Sequence, residues 1–322
     1  MVHQHFLQSS AWKAFQESQG LRTENLNFDG FHALGVHEKG MGKTGRLYVP
    51  YGPSAQTEDE FKKGLVLLEK AARDAGDVFV RIEPSSSAGF SRETLAALLE
   101  QHGYSKVHHV QPEDTWIADI SCGKDEILAN MKNDNRRSYK QAGKKNIEII
   151  SSEDPADIHY LTDLMALVAT RNDVHLREAE YIAEQVKILF PLHAARLYYA
   201  RTTTSVDDEP IEPTVIAASL AYINKDTMYY AHAGSDYAWK NKRANVALLV
   251  QMMIDASQRG LKYFDFYGIA PEDAPSDHPW MGFTRFKKSF GGQRVTYVGA
   301  WEKPVRPMRY FMYNAARKVF AR

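Results

Sequence analysis

One cysteine in 322 residues, Cys122, excludes an intramolecular disulfide and any multi-cysteine zinc site, and fits a reducing compartment. It follows a predicted strand, beside Gly123, and no nearby base argues for a lowered thiol pKa. Excess charge is missing too. Lys plus Arg and Asp plus Glu both number 40, so any contact with RNA must be local, and no DNA partner is expected. No apolar run approaches the roughly 20 residues that span a bilayer, and residues 1–8 lack the apolar stretch of a signal peptide. The expectation is a cytoplasmic chain, with peripheral contact at the inner membrane face left open.

Phosphate-binding turns are also lacking. Gly40-Met41-Gly42-Lys43-Thr44-Gly45 matches Gly-x-Gly-x-x-Gly, but His37 stands where a P-loop needs its first glycine. A strand, Arg46 to Pro50, follows instead of the helix whose N-terminal amides would face a phosphate, so the segment reads as a hairpin turn. No Arg/Gln-x-x-Gly-x-Gly/Ala turn for an acyl-CoA pyrophosphate appears. Twelve histidines include no His-x-x-x-His pair with a nearby acid, so neither metal nor cofactor is expected.

What is present is alternation of helix and strand. The length suits two domains, and 44% hydrophobic with 25% charged residues is ordinary for a globular chain. Helices are predicted at 9–19, 57–75 and 91–103, with strands at 31–36, 46–49, 78–82 and 115–120. The pattern then repeats, with helices at 125–143, 157–170, 177–189, 246–259 and 282–290. Strands at 147–151, 195–201, 214–223, 227–233, 263–267 and 294–300 accompany them, before a last helix at 306–322. Two such passes predict an α/β (α+β) chain of two related units. Lys132, Arg136, Lys140 and Lys144 recur every four residues on one predicted helix face, a stripe suited to tRNA or another polyanion, or to plain solvation. Strand alternation sends Tyr230 and His232 to one side and Tyr229 and Ala231 to the other. The last helix, basic and aromatic, reads as core packing with a basic exterior or as an interfacial helix.

Several segments then agree in order and spacing: Tyr48-Val49-Pro50-Tyr51-Gly52-Pro53, Val80-Arg81-Ile82-Glu83-Pro84, Thr115 to Ile120 followed by Met131-Lys132 and Arg136, Ala169-Thr170-Arg171, and Tyr229 to Ser235. Tyr263-Phe264-Asp265-Phe266-Tyr267-Gly268-Ile269 and Arg285-Phe286-Lys287-Lys288-Ser289-Phe290-Gly291-Gly292 complete the set. Together they resemble the FemABX family, the aminoacyl-tRNA-dependent transferases that build peptide branches on cell-wall precursors. The resemblance implies two acetyltransferase (GNAT)-like domains with mixed sheets, 1–121 completed by 300–322, and 122–299. The stretch Arg201 to Pro213 is too short for a coiled-coil arm, so a compact, armless form is implied, and a monomeric or weakly associating chain is expected.

The resemblance also implies the chemistry, namely transfer of an amino acid from aminoacyl-tRNA to a stem-peptide amine of a muramyl-pentapeptide precursor. Lys287 would meet the charge that develops on the carbonyl oxygen, with Tyr230 and Glu83 as further catalytic candidates. Tyr181 would line the acceptor or acyl channel, and Arg171 would grip a diphosphate. Trp12, Lys13, Arg81 and His232 complete the substrate-binding candidates, although the family's lysine a few residues after the N-terminal tryptophan has only Lys13 to match it. An acyl-CoA-dependent N-acyltransferase and a non-catalytic muramyl-peptide or RNA-binding module remain the alternatives.

Overall fold

The structure is a computed structural model, and it describes residues 4–40, 45–84, 90–172, 177–207 and 209–320. The chain divides into two compact units, Met1–Glu113 with Thr296–Arg322, and Asp114–Val295. In chain order the first unit carries α1 (Ser10–Ser18), β1 (Arg22–Asn25), β2 (Phe31–His32), β3 (Leu34–Lys39), β4 (Gly45–Val49), β5 (Ser54–Ala55), α2 (Glu58–Ala75), β6 (Phe79–Ile82), α3 (Arg92–Gln101) and β7 (Ser105–Val107). The second unit holds β8 (Asp114–Asp119), α4 (Lys124–Asn130), α5 (Asn133–Gln141), β9 (Ile147–Ser152), α6 (His159–Asn172), α7 (Ala179–Leu189), β10 (Ala195–Thr204), β11 (Pro210–Asn224), β12 (Thr227–Ser235), α8 (Ala244–Gln258), β13 (Tyr263–Gly268), α9 (Met281–Lys288) and β14 (Gln293–Thr296). The chain then returns to the first unit as β15 (Ala300–Pro304) and α10 (Pro307–Phe320). No helix among the described residues is long and apolar enough to cross a membrane. The hairpin turn expected at Gly40 to Gly45 falls on residues 41–44, which lie outside the described residues; β3 ends before them and β4 begins after them.

The six-stranded sheet of the first unit runs β1-β3-β4-β6-β15-β7, and the seven-stranded sheet of the second runs β14-β8-β13-β12-β11-β10-β9. Each contains one parallel pair, β4 with β6 and β12 with β13, and each pair is bridged by a helix, α2 or α8. In each, a strand from elsewhere in sequence inserts beside that pair: β15 between β6 and β7, β8 between β13 and β14. The strand at 115–120, placed in the first domain from sequence, therefore belongs to the second unit. Ladder bonds set this, with Asp119, Ala118 and Ile117 opposite Tyr263, Phe264 and Asp265.

Local chemistry explains the bridging helices. Thr57 and Glu60 form a reciprocal capping box at the start of α2, and Gly76 closes it at φ 82°, a left-handed conformation that glycine adopts without a Cβ penalty. Its apolar face, Phe61, Leu65, Leu68 and Ala72, is sealed against Leu47, Val80 and Ile82. Each large side chain so buried contributes roughly 1.5–3 kcal/mol. Helix α8 is buried nearly all round, with Leu249, Val250 and Met253 packed among Met228, Phe264, Phe266 and Phe290.

Candidate active site

Strand β13 carries phenylalanines on its core face, so the residue between them, Asp265, faces the other way. It is only 2% exposed. Its Oδ1 accepts from the Thr115 hydroxyl and, at 2.7 Å, from the Tyr267 amide. Tyr267 reaches that position through a left-handed backbone, φ 63°, uncommon for a bulky residue, and its ring packs edge-on against Tyr229 at 6.2 Å. Lys287, at the end of α9, donates its Nζ to the Gly268 carbonyl at 2.6 Å.

The two glycines after α9 make this approach possible. Gly291 and Gly292 sit at φ 84° and 99°, and a Cβ on Gly292 would lie 2.4 Å from the Ile117 carbonyl oxygen of β8. Trp116 Nε1 donates to the Gly291 carbonyl at 2.7 Å, while the Lys288 ammonium lies 5.2 Å from the Trp116 ring centroid. The second lysine is thus exposed and stacked, and the first is turned inward.

Burial governs the charges. It pulls the Lys287 ammonium down to about 8, against the opposing pull of the Asp265 carboxylate. It pushes Asp265 up to about 6, although the Thr115 and Tyr267 hydrogen bonds and the Lys287 charge all favour the anion. At pH 7 Lys287 is protonated by about ten to one. One of its three N–H groups goes to Gly268, leaving the others to meet an incoming oxygen. The result is a half-buried cation beside a buried anion, suited to stabilising negative charge as it develops.

Sheet register links this corner to a row of aromatic side chains. Asp265 pairs with Tyr229, and Tyr229 with Tyr222, all on one face. The Tyr222 hydroxyl donates to Gln185 of α7 at 2.6 Å and contacts His232 Nε2 at 3.0 Å. Burial first, and then the Arg177 charge, lower His232 to about 4, so the ring is neutral at pH 7. Tyr181 of the same helix lies under the Arg177 guanidinium at 5.1 Å.

Strand alternation fails within β12. A bulge between Leu220 and Ala221 leaves Ala231 as the extra residue of β12, so Tyr230 and His232 lie on opposite faces rather than together. Tyr230 packs against the core on the α8 side, where burial raises its phenol pKa. It is separated by the sheet from the Asp265 face.

The remaining candidates fall elsewhere. Arg81 is buried and ion-paired with Glu302 of β15, which makes it a scaffold residue rather than a substrate contact. Glu83 is 4% exposed, and its carboxylate accepts from the Tyr48 hydroxyl at 2.5 Å and from the Val110 and Gln111 amides at 2.8 and 3.0 Å. Burial still raises its pKa, but three donors occupy it as a strut. Trp12 packs on Phe6 and Phe15, and Lys13 pairs with Glu17 at 3.5 Å along α1. Arg171, exposed on α6, stacks over Tyr237 at 4.9 Å.

The basic stripe does not form as expected. The helix expected at 125–143 breaks into α4 and α5, with Lys132 as the α5 N-cap and Lys144 in a following 3-10 turn. The break is fixed from outside, because the Lys132 amide bonds the Ser289 carbonyl at 2.8 Å and Asn135 bonds the same residue. Arg136 is occupied in capping α4, donating to the Leu128 and Ala129 carbonyls. Lys140 instead lines a cavity of about 480 Å³ with Tyr139, Tyr198, Gln251 and Asp255, towards the β9 edge of the sheet. Sequence reading passed over Asp265, Thr115, Tyr222 and Gln185. Only Asp265 left a signal there, as a lone acid between two phenylalanines of a strand.

Two mixed sheets, each with a helix-bridged parallel pair, make a tandem acetyltransferase-like fold. The FemAB family model matches residues 193–318, a span that includes Lys287. The curated aminoacyltransferase FemA of Staphylococcus aureus is 29% identical over 107 residues, 32% of this chain and 24% of that protein. The match thus spans about a quarter of the curated relative's length. The crystal structure of FemX superposes with a TM-score of 0.83 at 16% identity, over 96% of this chain and 94% of that one. A tandem GNAT protein from the clavulanic acid biosynthesis pathway gives 0.50 at 10% identity, over 86% and 79%. The chain is thus similar to the FemAB family in sequence over its C-terminal part, and to FemX in fold over almost its whole length.

Proposed function

We propose that this chain is an aminoacyltransferase that moves an amino acid from aminoacyl-tRNA to a stem-peptide amine of a peptidoglycan precursor, nucleotide- or lipid-linked, on the cytoplasmic side. In that reaction the amine attacks the ester carbonyl, a C–N bond forms, the C–O bond to the ribose breaks, and the hydroxyl leaves with a proton. Negative charge appears on the carbonyl oxygen and needs a fixed cation. The observation that carries the reading is Lys287, half-buried, anchored to Gly268 and backed by Asp265, within the family-matched segment. A preformed donor of this kind contributes about 3–4 kcal/mol to such a transition state. The face bearing Tyr229, Tyr222, His232 and Tyr181 supplies the wall against which the acyl or acceptor chain would lie.

The test is transfer of labelled amino acids from a charged total-tRNA pool onto UDP-muramyl-pentapeptide and its lipid-linked form, by wild type and a Lys287 variant. Label on a precursor, lost with RNase and with the variant, supports donor and residue together. Transfer from acyl-CoA and none from tRNA would replace the donor. No transfer from either, with precursor binding intact, would leave a binding module.

A further inference from the structure

Helix α10 leaves an apolar stripe in water. Its inner side is held firmly: Tyr310 and Tyr313 pack on Phe79, each at 5.3 Å, and the Tyr310 hydroxyl donates to Glu302 at 2.6 Å. Arg306 anchors the entry, donating to the Asp77 and Arg73 carbonyls. On the outer side Met308 is 81% exposed, Phe311 75% and Met312 57%. With exposed Ala315, these residues fall within an arc of about 100° on a helical wheel. Large exposed apolar side chains clustered on one anchored helix mark a binding face.

Charge selects the occupant. Glu302 is the last acidic residue of the sequence, and Arg306, Arg309, Arg317, Lys318 and Arg322 follow it in a chain that is neutral overall. Arg309 is exposed beside the stripe. A second copy of the chain would set this basic helix against itself, at a cost in like-charge repulsion. At 14 residues the helix is about 21 Å long, short of the roughly 30 Å of a hydrocarbon core. Over those residues it is long enough to lie on a bilayer and too short to reach across one.

We propose that α10 docks on an anionic lipid bilayer, with Met308, Phe311 and Met312 entering the headgroup–acyl boundary and Arg309 pairing with lipid phosphates. This surface is independent of the transfer reaction. Such helices bind through buried apolar area together with attraction to acidic lipid.

Sedimentation of the whole chain with vesicles of phosphatidylcholine alone, or mixed with phosphatidylglycerol, tests it. Pelleting is expected with the mixed vesicles only, weakening as salt rises. Phe311→Ser should reduce partitioning about tenfold or more, and Arg309→Glu by a similar factor. Both sites are exposed, so melting should be unchanged in either variant. Phe311→Trp, which preserves the apolar face, should show blue-shifted emission with the mixed vesicles. Failure of the wild type to pellet, pelleting indifferent to Phe311→Ser, or unshifted tryptophan emission would overturn the proposal. So would a concentration-dependent dimer that dissolves in Phe311→Ser, since it would show that a second copy covers the face.

Discussion

Replacing Lys287 by methionine separates its chemical from its structural contribution. Methionine keeps most of the stem's length and volume and removes only the ammonium. Burial lowers the Lys287 pKa from 10.5 to about 8, equivalent to roughly 3 kcal/mol less favourable protonation in the fold. Because the folded value lies below the unfolded one, the native state holds this proton less tightly. The lysine therefore subtracts stability below about pH 8, and the cost fades as pH rises towards 10.5. The methionine variant escapes that cost but leaves the Gly268 carbonyl without its donor and Asp265 without its counter-charge, together a loss of roughly 1–3 kcal/mol. The two nearly cancel, so Tm should move by no more than about 5 °C for a unit of this size. Transfer should nevertheless fall about 100- to 1,000-fold, the usual effect of deleting one oxyanion-stabilising donor. Thermal melts and labelled-transfer rates on the same preparations decide the matter. Transfer within about threefold of wild type would refute the oxyanion role. A fall in Tm beyond about 10 °C would show that the lysine is retained for the fold.

The same cation predicts a pH profile: transfer should decline above about pH 8 as Lys287 loses its proton, and Lys287→Arg, which stays charged, should lack that limb. Glu83→Gln should lower Tm through a loss of roughly 1–2 kcal/mol, because the amide presents a donor where the carboxylate accepts three. Its rate per folded molecule should stay within about twofold, whereas a loss of about 100-fold at unchanged Tm would restore Glu83 as the base. Gly292→Ala should cost at least about 2 kcal/mol by melting, since its Cβ meets the Ile117 backbone at positive φ. Gly282→Ala, within α9, meets nothing within 4 Å and should instead stabilise by about 0.5–1 kcal/mol.

Local chemistry made some elements legible and hid others. Helix α2 was readable because its cap, its apolar spacing and its terminal glycine all lie within one segment. Strand β13 and the inward lysine of α9 were readable as a motif, since the Phe-Asp-Phe and Phe-Lys-Lys-Ser-Phe patterns carry their own periodicity. The failures have distant causes. The α4–α5 break depends on Ser289, 154 residues beyond Asn135, and Arg81 is neutralised by Glu302, 221 residues away. The β12 bulge arises from pairing with β11, so alternation within β12 could not reveal it. Arg136 looked free in sequence because a helix break, and hence carbonyls to cap, was not foreseen.

The repeated architecture explains why one unit carries the candidate chemistry. In the first unit the register row across the parallel pair is Tyr48, Arg81 and Glu302, so the buried cation on the central strand meets its counter-charge on the next strand. That pair is closed, and Glu83, just beyond β6, is held by three donors. In the second unit the corresponding row is Tyr229, Asp265 and Ile117. The inserted strand offers an apolar residue there, so the buried Asp265 must draw its counter-charge from outside the sheet. Lys287 of α9 supplies it while spending only one N–H on the protein. The row that is not neutralised within its own sheet is thus the one that presents a cation with donors to spare.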